Sequence, residues 1–190
     1  MSRLSFSPSR LLCALAVMLA CMFPSCTADD GRYSTSYPCA FSFNTQLHVT
    51  SILTRCLDNP GVFVKVDVRR DKGIYVLDLA SNNGKETESV PLTTEDENRR
   101  IGSVGAGNSL VIGCTNFNGM VAFDAQCPNC LVNYTGSSYP LTWGAGGQAV
   151  VCGKCGVSYE LNYGGRPSSG ERLIEYRIRY DGVRLTVTNN

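Results

Sequence analysis

Two C-x-x-C motifs constrain the fold of this chain more than any other feature of its sequence. They are Cys127-Pro-Asn-Cys130 and Cys152-Gly-Lys-Cys155, with 21 residues between them. Each motif places two thiols on one side of a tight turn, and we call each such turn a knuckle. Two knuckles that face each other present four sulfur ligands to a metal at about 2.3 Å in tetrahedral geometry. A fold that uses all four thiols must therefore bring two distant loops together.

The knuckles have three alternative chemistries, and all depend on sulfur because the single histidine, His48, lies far upstream. A zinc ion bound by four cysteines would hold the loops together and catalyse nothing, since four thiolates leave no open position. The 21-residue gap is slightly longer than the usual spacing of about 15–20 residues. Four thiolates also hold a [2Fe–2S] cluster for electron transfer. The third alternative is two disulfides, although a thioredoxin-like βαβ pattern for thiol–disulfide catalysis is absent.

The N-terminus has the pattern of a secretory signal peptide. Arg3 and Arg10 precede the apolar segment Leu11–Ala20, which is too short to span a bilayer as a helix. We therefore predict a signal peptide over residues 1–25. A polar tether is predicted to follow over residues 26–40, before a single domain over the rest of the chain.

Cys26 ends the apolar segment and is the predicted site of lipidation. Cys21, which also follows a small residue, is the alternative site, and cleavage near Ser25 without a lipid is a third possibility. Lipidation predicts a membrane partner and a location in the cell envelope, on the periplasmic or the outer-surface face.

The charge of the chain argues against nucleic acid as a partner. The predicted signal peptide contains two arginines and no acidic residue, so its removal leaves 15 basic and 16 acidic side chains. Such a balance lacks the basic patch of a nucleic-acid-binding domain. We also find no Ser-His-Asp set, no paired-carboxylate motif and no phosphate loop, and the chain is not predicted to be a complete enzyme.

The remaining pattern predicts an all-β domain. Val62–Val68 and Ile74–Leu79 alternate between apolar and polar residues around a turn, as β-hairpins do. Asp181-Gly182 lies between two more alternating segments and is typical of a two-residue hairpin turn. Short strands at even spacing predict an antiparallel sandwich or barrel with the two knuckles as loops. One short helix is predicted over His48–Leu57, and the polar segment 80–100 is predicted to be a surface excursion.

Three further cysteines, Cys39, Cys56 and Cys114, are scattered along the domain. We expect them to be buried or bridged rather than to bind metal, and Cys39–Cys56 is a possible disulfide in an oxidising compartment.

The residues around the knuckles resemble the cluster-binding half of a Rieske-type domain. That family has C-x-H, a loop and C-x-x-H-G, then an aromatic residue and a Gly-rich turn before a closing hairpin. Cys127 and Cys152 match the two family cysteines, and Gly156, Tyr159 and Gly164-Gly165 match the later features. The whole chain looks like a Rieske-like lipoprotein of the Bacteroidetes type, with the domain over 41–190 and an insertion at 80–100.

The chain departs from the Rieske pattern at both ligand histidines. Asn129 and Cys155 occupy their positions, so ligation by two cysteines and two histidines is impossible here. The resemblance implies a four-cysteine variant in which Cys130 is a replacement ligand. The implied metal ligands are Cys127, Cys130, Cys152 and Cys155. The resemblance implies a [2Fe–2S] electron-transfer protein with a redox partner protein that the sequence does not identify; the alternative is a non-enzymatic binding or scaffold protein with structural zinc.

Overall fold

The computed structural model describes residues 31–136 and 138–189. The predicted signal peptide over residues 1–25 and both lipidation candidates, Cys26 and Cys21, lie outside the described residues. Within the described ranges, no helix has the length and apolar character needed to cross a membrane.

The described part of the chain is built mainly from antiparallel β-strands, which confirms the predicted all-β class. The strands are β1 (Ala40–Asn44), β2 (Val62–Asp71), β3 (Ile74–Ser81), β4 (Thr87–Pro91), β5 (Ser109–Thr115), β6 (Gly119–Asp124), β7 (Leu141–Trp143), β8 (Ala149–Cys152), β9 (Ser158–Glu160), β10 (Arg166–Pro167), β11 (Glu175–Tyr180) and β12 (Arg184–Thr188). A large, curled sheet has the order β1-β12-β11-β6-β5-β2-β3-β4, and a small sheet has the order β10-β9-β8-β7.

Helices are short in the described ranges. They are α1 (Ile52–Cys56), α2 (Glu95–Arg99) and α3 (Pro128–Asn133), with 3₁₀ turns at Ala145–Gly147 and Leu161–Tyr163. The helix predicted over His48–Leu57 is therefore shorter than expected. It begins after Ser51, whose hydroxyl caps it by accepting a hydrogen bond from the Leu53 N–H.

Hairpins connect the strands that the alternating pattern predicts. β2 and β3 pair from Val64–Ser81 to Asp71–Ile74, and the turn between them has positive φ at Lys72 (48°) and Gly73 (90°). Two consecutive positive φ values are typical of the type I′ turn, whose twist matches that of the strands.

Both faces of the large sheet are apolar at its centre. Phe63 and Val64 are neighbours in β2 that point to opposite faces, and both are fully buried. Val64 belongs to the main core, which the sheet curls around. Phe63 belongs to a second core, where the small sheet packs with Val150 and Tyr159. The small sheet is thus held against the outer face of the large one.

The segment 80–100 differs from the predicted surface excursion. Thr87–Pro91 forms the edge strand β4 of the large sheet, with Val90 and Leu92 buried in the main core. α2 follows and approaches the opposite edge of the curled sheet, where Asp96 pairs with Arg184 of β12. The polar composition of this segment arises because only one face of it is buried.

Part of the predicted tether also packs on the domain. Arg32 forms an ion pair with the buried Glu175 at 2.6 Å, and Tyr33 makes a β-bridge to the same residue. Cys39 forms an isolated antiparallel β-bridge with Val104, so the chain is already part of the fold before β1 begins.

Candidate metal centre

The first knuckle is formed where the chain leaves the large sheet. After β6, the Cys127 N–H donates to the Tyr139 carbonyl at 2.9 Å. Cys127 is then the N-cap of α3, and Pro128 takes the first helical position, where the missing N–H of proline has no cost. The Leu131 N–H donates to the Cys127 carbonyl at 3.0 Å and closes the turn. The local sequence therefore fixes the backbone that presents Cys127 and Cys130.

The second knuckle is the turn between β8 and β9. The Cys152 N–H donates to the Val157 carbonyl at 3.0 Å, and the Gly156 N–H donates to the Cys152 carbonyl at 2.9 Å. Gly156 has φ of 72°, a left-handed conformation that glycine adopts without steric cost. This glycine lets the chain reverse directly after Cys155.

The structure brings the four predicted ligands together. The Sγ atoms of Cys127, Cys130, Cys152 and Cys155 all lie within 4.8 Å of one another. The Sγ–Sγ distance is 3.6 Å between Cys127 and Cys155 and also between Cys130 and Cys152. Four sulfur atoms so close together are compatible with a metal site, and we call this set the four-cysteine group.

The four-cysteine group lies at the edge of the second core, with one side towards solvent. Cys127, Cys130 and Cys152 are buried, whereas Cys155 reaches the surface. Burial raises the pKa of Cys130, and the neighbouring thiols raise it further. At Cys152, burial opposes ionisation, but hydrogen bonds from the backbone N–H groups of Cys155 and Lys154 outweigh it and the pKa is lowered. A bound cation would favour the thiolate form of every ligand.

A chain of hydrogen bonds stabilises the first knuckle. The Tyr159 hydroxyl lies 3.2 Å from the Cys127 Sγ, and the Asn129 side-chain amide donates to that hydroxyl at 3.2 Å. Asn129 also accepts from the Glu171 N–H and donates to the Ser169 carbonyl. Asn129 thus ties the knuckle to the loop after β10. The sequence predicts no such role for Asn129, because an isolated asparagine in a turn has no pattern that marks it.

The loop between the knuckles packs beside the four-cysteine group. Tyr139 and Trp143 contact the second core. Tyr134 is exposed, and the Lys154 ammonium lies 5.1 Å from the centre of its ring. An open cavity of about 550 Å³ lies between this loop and the second knuckle, with Cys152 in its wall. The loop therefore leaves the group partly accessible.

The other cysteines stand apart from the four-cysteine group. Cys39, Cys56 and Cys114 are all free thiols, so the possible Cys39–Cys56 disulfide is not formed in this structure. Burial raises the pKa of the Cys39 and Cys56 thiols to about 12, and both are therefore protonated and inert at neutral pH.

Comparison of the chain with protein-family models, with curated proteins and with solved structures finds no match. The fold and the site therefore define the class on their own. It is an all-β protein in which a group of four cysteines, compatible with a metal site, lies where a small sheet packs on a large one.

Proposed function

We propose that the four-cysteine group binds one zinc ion and that the protein is a non-enzymatic, lipid-anchored binding or scaffold protein of the cell envelope. The observation that carries the metal assignment is the compactness of the group, in which all four Sγ atoms lie within 4.8 Å of one another. Four thiolates in a closed shell stabilise a fold and leave no position for a substrate.

A single ion accounts for the sulfur separations. Thiolates at about 2.3 Å from one ion in a regular tetrahedron lie about 3.8 Å from each other. Two Sγ–Sγ distances in the group are 3.6 Å, close to that edge. A [2Fe–2S] cluster divides its thiolates between two bridged irons, so ligands of different irons lie further apart than ligands of the same iron. The compact group favours one ion.

The ion would join two loops that belong to different sheets. The first knuckle follows β6 of the large sheet, and the second connects β8 to β9 of the small sheet. Short strands of two to four residues form the small sheet. Sheets of such short strands have few hydrogen bonds of their own, and a metal that links them to the large sheet supplies part of their stability.

A [2Fe–2S] electron-transfer centre is the second candidate. Two observations favour it: the resemblance of the knuckle sequences to a Rieske-type domain, and the position of Cys155 at the surface, where a redox partner protein can approach. The Tyr159 hydroxyl beside the Cys127 sulfur adds the kind of contact that raises a cluster potential.

Metal analysis of protein purified without oxygen, together with an optical spectrum, tests both candidates. One zinc per chain in a colourless protein supports the proposal. Two irons with acid-labile sulfide and visible absorbance would establish the second candidate and overturn the first. One iron per chain would overturn both assignments, and so would metal-free protein with reduced thiols. Cys155→Ser should lower metal content, whereas Cys114→Ser, outside the group, serves as the matched control and should not.

Lipid anchoring is tested separately with a radiolabelled or clickable fatty acid. The proposal expects label and membrane fractionation in the full chain and their loss in Cys26→Ser, with Cys21→Ser unchanged. Loss in Cys21→Ser alone would move the lipid to that residue, and an unlabelled full chain would overturn the anchor.

A further inference from the structure

We propose that the four-cysteine group is a site of oxidative modification, in which a hydroperoxide converts it into two disulfides that each join one knuckle to the other. The pairs are Cys127–Cys155 and Cys130–Cys152. One part of this inference, the release of metal that accompanies oxidation, rests on the proposed zinc site. The disulfide pairing stands on the sulfur geometry alone.

Two sulfur–sulfur contacts point to the pairing. The two Sγ–Sγ contacts at 3.6 Å both connect a residue of the first knuckle with a residue of the second. Each gap must shrink to the disulfide bond length of about 2.05 Å. The two pairs share no residue, so both bonds can form in the same molecule and use all four sulfurs.

The exposure of the four residues determines where oxidation begins. Cys155 reaches the surface, while Cys127, Cys130 and Cys152 are at most 1% exposed. A thiolate must meet the oxidant before it can react, so a small hydroperoxide attacks Cys155 first. Its partner Cys127 is the sulfur in contact with it and resolves the oxidised intermediate.

The chemistry balances with hydrogen peroxide or an alkyl hydroperoxide as the oxidant. The Cys155 thiolate attacks the peroxide, the O–O bond breaks, and Cys155 becomes a sulfenic acid while hydroxide or an alkoxide leaves. The Cys127 thiol then attacks that sulfur, the S–O bond breaks, and water leaves as the disulfide forms. A second peroxide reaches Cys152 through the open cavity in whose wall it lies, and Cys130 resolves the sulfenic acid in the same way. Four thiols are oxidised, and two peroxides are reduced.

Loss of two thiolates leaves too few ligands to hold zinc, so metal leaves as the first disulfide forms. The knuckles stay joined, because each disulfide spans the same two loops that the metal spans. The site therefore has two exchangeable states, one with metal and one with disulfides, and a dithiol reductant returns the second to the first.

Peroxide titration of the zinc-loaded chain tests the proposal. Zinc release is followed with a chromogenic chelator, remaining thiols are alkylated, and the linked peptides are identified by mass spectrometry. Cleavage after Lys154 with trypsin separates Cys152 from Cys155, and an asparagine-specific protease separates Cys127 from Cys130. The expected linked peptides contain Cys127 with Cys155 and Cys130 with Cys152.

Disulfides within a knuckle, or the swapped pairs Cys127–Cys152 and Cys130–Cys155, would overturn the proposal. In Cys155→Ser, Cys127 should remain an alkylatable thiol and peroxide consumption should slow several-fold, whereas Cys114→Ser should behave as the parent chain does. If the reduced chain holds no zinc before peroxide is added, the zinc proposal fails, and the peptide map still decides the disulfide pairing.

Discussion

The Tyr159 hydroxyl and the Cys127 Sγ lie 3.2 Å apart, and this contact joins β9 to the first knuckle across the second core. Tyr159 is fully buried, and it sits in β9, three residues beyond the turn glycine of the second knuckle. One side chain thus links the two knuckles. A hydrogen bond to a ligand sulfur holds it in place and stabilises its thiolate form.

Tyr159→Phe should weaken metal binding while it preserves the fold. The substitution removes only the hydroxyl, and the ring continues to fill its place in the second core. Loss of such a supporting hydrogen bond typically lowers metal affinity by about 10–100-fold. Competition with a chelator of known affinity measures the change.

Tyr163→Phe is the matched control for that substitution, because Tyr163 is 58% exposed and its ring lies beside Phe117. Its metal affinity should equal that of the parent chain. Equal affinities for both variants would show that the Tyr159 hydroxyl does not support Cys127.

His48→Ala should destabilise the domain without changing metal content. The His48 Nε2 lies 2.7 Å from the Glu97 carboxylate, and the imidazole stacks on Phe43 with 5.1 Å between ring centres. Glu97 is buried, so the variant leaves its carboxylate with fewer partners. The expected loss in the free energy of unfolding is about 1–3 kcal/mol, measured by urea denaturation.

Gln46→Ala, in the same loop but exposed, provides the comparison and should change the free energy of unfolding little. A His48→Ala variant as stable as this one would contradict a structural role for the histidine.

The alternating segments made the large sheet predictable. β2 and β3 were expected from their pattern and from the turn residues between them, because such patterns fix which face of a strand is buried. The strand β4 was not expected, since only Val90 and Leu92 in its surroundings are buried and the exposed residues give it a polar composition. In a five-residue edge strand with one buried face, the alternation of apolar and polar residues is too short to predict a strand.

The four-cysteine group could be predicted in part. The spacing of the four cysteines predicts that they lie together, because a C-x-x-C turn brings its own two thiols together and the pair of turns suggests the rest. Neither the support from Asn129 nor the cross-knuckle contacts follow from spacing. Both depend on how the small sheet packs on the large one, which is a tertiary relationship between residues up to 42 positions apart.

The stability of the domain should depend on pH because of Asp124. This buried carboxyl accepts hydrogen bonds from the Ala106 and Gln126 N–H groups and from the Tyr176 hydroxyl. Burial nevertheless outweighs these bonds and raises the pKa of Asp124 in the folded state. The folded state therefore binds the proton more strongly than the unfolded state, where the pKa is about 3.9.

The stabilising contribution of that proton is complete below about pH 4 and is lost as the pH rises through the folded-state pKa. Asp124→Asn has no carboxyl to ionise. The difference in the free energy of unfolding, parent minus variant, should therefore fall as the pH increases above 4. Urea denaturation across pH 4–7 measures it, with Glu160→Gln, an exposed carboxyl in β9, as the control. A difference that stays constant with pH would contradict the raised pKa.

Metal removal should loosen the small sheet and leave the large sheet intact. The amides of Cys127, Cys152 and Gly156 are hydrogen-bonded within or beside the knuckles, and a bound metal would restrain both turns. Amides in β2, β5 and β6 belong to the centre of the large sheet, which has its own apolar core. Chelation under reducing conditions should therefore speed hydrogen–deuterium exchange in the knuckles and in β7–β9, with little change in β2, β5 and β6.

Peroxide-treated protein is the informative comparison, because cross-knuckle disulfides should keep exchange slow in the same segments. Uniform acceleration across both sheets after chelation would show instead that the metal stabilises the domain as a whole.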